Sequence, residues 1–487
     1  MTRILAIFDD TPTKSEVIAD VIGRKGFADV VVRKRQLSSY YEEVVRALYP
    51  EMQWRIIRSQ FEFQELHKEM QEGTLEADFV LHVFSNYIVS DREAVQLTLR
   101  KLTCIEESWR LVTNSQQIAG LFFPAESEYL SFLRRVIKQE NSLAATRDMG
   151  PEMPVEGLVD IGQVGNFIQC ITGNFDSRYF NSLSGNDYTI VKSSTNKKKI
   201  KAEYTFYHLL PDDMKYWYVM PFNYREEGEH SSYSMQRLHM TDLAIKWVHG
   251  SFDEQEFSQL MDMYFHFFAN RRRKDVSRET YQRIADELYV NKVHSRIRQL
   301  KELPAYEPVA GMLAAGCEEH DVDTIADHYF RLKEKVEGHL HYPSESVIGH
   351  GDPCFANALY NKSTRTLKFI DPKGALTEEE LWTNPYYDIA KLSHSICGRY
   401  DFFNNGLYDI EIDGDFRCQL HIDFDAAPYK RRFREVLAEN GYDYLTVRIY
   451  EASLFLSMLP LHIDNPHKVL GFILNAREIL REIEREV

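Results

Sequence analysis

The stretch "VIGHGDPCFANALYNKSTRTLKFIDPKGA", residues 347–375, decides how this chain is read. It divides into a short apolar run "SVI" (346–348), a loop "GHGDPCFAN", a strand-like "ALYN", a polar turn "KSTR", and a second run "TLKFID". Two strands joined by such a turn form a hairpin, which carries Asp371 at the end of the second strand back toward Asn357 and Asp352. Three oxygen-bearing side chains then share one small volume. Hard oxygen donors of this kind suit Mg²⁺, which keeps waters and substrate phosphates in its remaining positions.

Phosphoryl transfer needs an Asp to orient a substrate hydroxyl and take its proton. It also needs an Asn and an Asp for the metal, and a Lys on the phosphates. The spacing from Asp352 to Asn357, with four residues between, is that of the protein-kinase catalytic loop. "HGDPCFAN" followed by "FID" resembles the signature of the aminoglycoside phosphotransferase and choline kinase superfamily. That resemblance implies Asp352 as catalytic base, assisted by Asn357, with Asn357 and Asp371 as Mg²⁺ ligands. ATP and Mg²⁺ are the cofactors it implies.

The upstream half carries the other parts in order. "YTIVKSSTNKKKIKAEYTFYHLLP" supplies Lys192 at a strand end and Glu203 in the following helix, the expected pair on the nucleotide phosphates. "YSMQRL" (233–238) resembles the hinge between kinase lobes, which places Met235 at the adenine. The likeness spans residues 155–487 or so. "FDSRYFNSLSGNDYTIVKSST", "SSYSMQRLHMTDLAIKWVHG", "IDPKGA" and "YYDIAKLSHSICGRYDFFNNGLYDI" together look like phosphotransferase-type proteins of bacterial capsule and surface polysaccharide loci. That implies a carbohydrate or polyol acceptor. No Phe-Gly follows Asp371, no Ala-Pro-Glu occurs downstream, and position 351 is Gly, so protein-kinase activity is not implied. Of a glycine-rich phosphate loop there are only Gly162 and Gly165 in "IGQVGNF", or the segment "FDSRYFN" in its place.

The rest of the chain sets the frame. Its 487 residues leave room for about three structural units. A net charge of -16 argues against a nucleic acid polymer as partner, because phosphate backbones are bound by clustered Lys and Arg. No apolar run reaches the length of a bilayer span, and the N-terminus meets acids too early for a signal peptide, so a cytoplasmic chain is expected. The six cysteines are widely spaced, without a CxxC pair. Oligomeric state is not legible. In residues 1–140 strand-like "ILAIF", "DVVVRK", "DFVLHVF" and "AGLFFP" alternate with helical stretches, as in a wound α/β layer. "DFVLHVFSNYIVSD" faintly resembles the sugar nucleotidyltransferases, yet their glycine-rich loop is absent from "ILAIFDDTPTKSE".

Several residues have plain structural readings. His350 is expected to hydrogen-bond the loop backbone rather than act as a base, and Asp388 in "YYDIAK" to buttress the loop or cap a helix. "RRRK" (271–274) reads as a solvated helix end, "AATRDMGPEMPVEGLVDIG" (144–162) as a linker, and "DIEIDGDFRCQLHID" (409–423) as a hairpin with Asp413-Gly414 at its turn rather than a calcium loop. In "FDDT" the acids are adjacent, so the Asp-x-Asp of certain phosphatases is not formed.

The expectation is an α+β chain. An N-terminal α/β domain (1–143), Rossmann-like or nucleotidyltransferase-like, precedes a bilobal kinase-like fold with an N-lobe at 155–240 and a mostly helical C-lobe at 241–487. Its function would be ATP-dependent phosphorylation of a small-molecule hydroxyl. The alternatives are a pseudokinase scaffold of polysaccharide assembly, or a sugar nucleotidyltransferase working through the N-terminal domain.

Overall fold

A computed structural model describes residues 3–32, 34–147, 149–172, 181–186, 188–316, 321–338, 344–415 and 417–487. The "FDSRYFN" segment therefore lies outside the described residues except for Asn181. The chain divides into two units, Met1–Asn174 with His249–Ser251, and Phe175–Val248 with Phe252–Val487.

The first unit is built on a six-stranded sheet in the order Gln53–Ile57, Ile4–Asp9, Phe79–Phe84, Ile118–Phe123, Trp109–Val112, Glu152–Pro154. Ile4–Asp9 is buried along its whole length, as a strand must be when both neighbours run parallel to it beneath helices. Ile118–Phe123 returns antiparallel to Phe79–Phe84. The helices start where short polar side chains accept an amide that the first turn leaves unpaired: Ser59 takes Glu62 N–H and Asp91 takes Ala94 N–H. Asp91, the last residue of "DFVLHVFSNYIVSD", is thus a helix cap. Asp9 and Asp10 are also held structurally. Asp9 meets His82 Nε2 at 3.1 Å and Thr11 Oγ1 at 2.6 Å, while Asp10 accepts Ala28 N–H and Arg58.

Three expectations need correction here. Among the described residues of 29–34 only Val31–Val32 is a strand, and it pairs with Arg35–Gln36 outside the main sheet. Gln53–Ile57 and Trp109–Val112 join the sheet as well, two short strands that the sequence reading does not separate from the helical stretches around them. The 144–162 "linker" is partly sheet, because an extended segment beside an open edge finds partners for its amides. Glu152–Pro154 extends the six-stranded sheet and Leu158–Asp160 pairs with Tyr87–Val89. The N-terminal unit therefore runs on to Asn174 instead of ending at 143. Gly162 and Gly165 belong to it, at the start of the helix Val164–Thr172, and not to a phosphate loop.

The second unit opens with a four-stranded antiparallel sheet in the order Asn181–Gly185, Thr189–Ser194, His230–Gln236, Pro221–Glu227, with the helix Lys197–Leu209 packed on it. Asn196 starts that helix by accepting Lys199 N–H at 3.1 Å. The remainder is helical around a hairpin of Ala358–Asn361 and Thr366–Phe369. Tyr444–Met458 is buried all round and forms its central helix, flanked by Val322–Glu337 and Pro466–Glu484. The second unit is thus α+β, a small antiparallel sheet followed by a mostly helical part, as expected. The 409–423 hairpin forms as read, Asp409–Ile412 against Cys418–His421, with Asp413 Oδ1 accepting the amides of Asp415 and Arg417 across a longer turn. Among the described residues no helix is long and apolar enough to cross a membrane.

Candidate functional site

Lys192 lies on the strand Thr189–Ser194 directly opposite Tyr233 of His230–Gln236, and both side chains point to the helix Lys197–Leu209. Its ammonium is 3% exposed and stands 2.8 Å from Glu203 Oε2 and 2.8 Å from Asp371 Oδ1. Tyr233 OH donates to the same Glu203 oxygen at 3.1 Å. Burial works against the lysine's charge, but the Asp371 and Glu203 carboxylates outweigh it and hold its pKa above the ordinary value. A strand, a helix and the end of the hairpin therefore meet at one ammonium group.

The loop 349–357 is held from beneath. Asp388, wholly buried on the helix Tyr387–Ile396, accepts the amides of His350 and Gly351 at 2.9 and 2.8 Å and the Arg271 guanidinium at 3.2 Å. Of the two readings for Asp388, buttress or helix cap, the contacts are those of a buttress. Arg271 corrects the reading of "RRRK": its side chain is buried and paired with Asp388, whereas Arg272, Arg273 and Lys274 are exposed. A run of four cations gives no sign of which one turns inward.

His350 is buried and stacks on Tyr218 at 5.7 Å. Its Nδ1 accepts Asp352 N–H at 3.1 Å, so Nε2 carries the proton and donates to Ile370 O at 3.0 Å. Burial pushes its pKa below the ordinary value, and the imidazole is neutral. Both nitrogens thus serve the backbone and tie the loop to the hairpin strand.

Asn357 Nδ2 donates to Asp352 O at 2.9 Å, while Asn357 O accepts Ile370 N–H at 3.0 Å. Those bonds set Asn357 beside Asp371, whose backbone is left-handed at φ 56°. The segment after Asp371 docks on the helix that carries Glu203, with Ala375 N–H donating to Ala202 O at 3.0 Å. Gly374, at φ 86°, permits this approach, since a Cβ there would come within 2.9 Å of Ala202 and Glu203 main-chain atoms. Asn357 and Asp371 offer hard oxygens of the type Mg²⁺ takes, too few to enclose it alone, which fits an ion completed by water and phosphate. Among the described residues no set of three His, Cys, Asp or Glu side chains converges as a protein-only cage.

Met235 is placed differently from its neighbours in the reading. Its side chain is 8% exposed and packs with Ile200 and Tyr233 on the helix side of the sheet. Lys391 was not singled out at all. It lies three residues after Asp388 on the same helix, and its Nζ stands 3.0 Å from Asp352 Oδ1. The signal was present: residues three apart share a helix face, so a helix that presents Asp388 to the loop presents Lys391 as well.

Neither any protein-family model nor any curated protein matches the chain. Among solved structures it is similar to a thermostable mutant of an aminoglycoside phosphotransferase, with 10% identity, 64% of this chain and 97% of that one covered, and a TM-score of 0.32. A glucosamine kinase shares 12% identity over 64% of this chain and 79% of its own, at a TM-score of 0.37. For a choline kinase from Cryptosporidium parvum Iowa II the values are 10%, 66%, 96% and 0.34. At such scores the site has to be read from its own geometry.

Proposed function

We propose that the second unit is an ATP- and Mg²⁺-dependent phosphotransferase that phosphorylates a hydroxyl group of a small molecule. The observation that carries this reading is the Lys192 ammonium, shared at 2.8 Å between Glu203 and Asp371 in a nearly buried setting. A lysine so fixed is pre-positioned for phosphate oxygens.

In this mechanism Lys192, steadied by Glu203, grips the ATP phosphates, and Asn357 and Asp371 hold Mg²⁺. The ion would neutralise charge on the phosphate oxygens when bound. Asp352 orients the acceptor hydroxyl, whose oxygen forms a bond to the γ-phosphorus as the bridging P–O bond breaks and its electron pair leaves with ADP. The proton passes to the Asp352 carboxylate. His350 holds the loop in register with the hairpin and exchanges no proton with the acceptor. The adenine contact is assigned to the backbone leaving the Met235 strand, since the Met235 side chain is committed to packing.

A sugar or polyol acceptor in surface polysaccharide synthesis is the finer reading, and its support is the likeness of the quoted stretches alone. The test of the site is the melting temperature of the purified protein with ATP, GTP, CTP or UTP, with and without Mg²⁺. A ligand present at 100 times its Kd adds about 2.7 kcal/mol to stability. The expected result is a rise with Mg-ATP that disappears in Asp371→Ala. No purine response would leave a non-catalytic binding unit, and a CTP or UTP response surviving Asp371→Ala would move the nucleotide chemistry to the first unit.

A further inference from the structure

Resting on the phosphotransferase reading, we infer that Lys391 is a positioning residue for Asp352: its ammonium, 3.0 Å from Oδ1, sets the rotation of the carboxylate toward the acceptor hydroxyl.

The placement comes from the helix Tyr387–Ile396. Asp388 on that helix binds the amides of His350 and Gly351, and Lys391 one turn on binds the side chain of Asp352. One rigid element therefore holds both the backbone and the reacting carboxylate of the loop. The Lys391 side chain is 13% exposed and that of Asp352 39%. An ion pair with so exposed a carboxylate is worth only about 0–1 kcal/mol to the fold, so stability gives little reason for it. Its effect falls on orientation, where a reacting group must be held within a narrow range to be effective.

The surroundings keep the lysine charged and in place. Burial opposes its charge, yet Asp352, with Tyr387 and Cys354 adding, raises its pKa. Tyr387, one turn earlier on the same helix, accepts a hydrogen bond from Lys292 Nζ at 3.0 Å. Burial pushes that phenol up, but Lys391 and Lys292 together hold its pKa below the ordinary value. The groups that bear on the pair include Tyr387, Lys292, Cys354, His350, His394 and the buried Asp401. As an acceptor oxygen bonds to phosphorus and ADP departs, its proton enters the Asp352 carboxylate.

The test uses the full-length chain with Mg-ATP, water serving as acceptor. Phosphate release is followed under single-turnover conditions at high enzyme concentration, so slow hydrolysis is readable. Lys391→Met should lose about 10²-fold in kcat, within the range assigned to positioned proton transfer. Its KM for Mg-ATP should stay within about twofold. Lys391→Arg, which restores the cation, should recover most of the loss. A Lys391→Met enzyme as fast as wild type, beside an inactive Asp352→Asn, overturns the inference and leaves the phosphotransferase reading standing. Parallel losses in kcat and melting temperature that Lys391→Arg does not restore would make the lysine merely structural and also overturn it. Hydrolysis undiminished in Asp352→Asn, or absent from wild type, removes the reading and the inference together.

Discussion

Single side chains carry most of the energetic commitment at this site. Asp388 is the clearest, a buried carboxylate that satisfies two loop amides and the only carboxylate paired with Arg271 among the described residues. Asp388→Ala leaves Arg271 buried without its counter-charge, and the expected loss is about 3–5 kcal/mol in urea unfolding. Combining it with Arg271→Leu should cost less than the sum of the two changes, because the orphaned charge is gone. Two other buried groups make stability depend on pH with opposite signs. His350 has a folded pKa below the unfolded value of about 6.5, so the unfolded chain binds more protons near that pH, and its contribution is lost as pH falls below it. Asp401 is wholly buried, and burial pushes its carboxyl up to about 7. Its protonated folded form is favoured, so its contribution is lost as pH rises toward 7. Asp401→Asn should therefore gain stability with pH between 5 and 7 more steeply than wild type, by up to about 1.4 kcal/mol per pH unit, and be the more stable protein at pH 8. A melting-temperature series that runs parallel for the two proteins would contradict this assignment.

At the scale of elements, the site exists because three of them meet at Lys192. The contact between the segment after Asp371 and the helix Lys197–Leu209 is made through Gly374, where a side chain has no room. Gly374→Ala should separate that segment from Ala202 and weaken the Lys192–Asp371 pairing, since the new methyl group must displace main-chain atoms and φ 86° strains any Cβ. Mg-ATP affinity measured by calorimetry should fall at least about tenfold while most of the fold persists, a loss of about 1.4 kcal/mol in binding. At this scale the sequence was an uneven guide. "TLKFID" and "DYTIVK" read as strands, and Lys192, Glu203, Asn357 and Asp371 stand out as candidates by type and order, although Lys192 lies within the strand Thr189–Ser194 and not at its end. Gln53–Ile57 alternates as a strand does, but it is short, and its place beside Ile4–Asp9 is a long-range choice that the local pattern does not carry. The inward turn of Arg271 was equally hidden, for it depends on a partner 117 residues away.

For the whole chain, the two units have separate cores. One gathers residues such as Leu5, Phe63 and Tyr129, the other Trp247, Phe369 and Leu454. Units with their own cores can unfold independently. Scanning calorimetry should show two transitions, of which Mg-ATP raises only the one belonging to the second unit. A single transition that moves as one with Mg-ATP would mean that the units unfold as one. The sequence by itself determined the chemistry available here: the residue types, their order along the chain, and the hairpin that returns Asp371 toward Asn357. These follow from spacing and periodicity, which are local. Only the tertiary structure decided that Arg271 and Asp388 pair beneath the loop, that Lys391 meets Asp352, that the Met235 side chain packs away, and that residues 152–154 and 158–160 pair as strands within the first unit. Each of those rests on burial and pairing between distant segments, where the free energy depends on which surfaces leave water together rather than on what adjoins them in sequence.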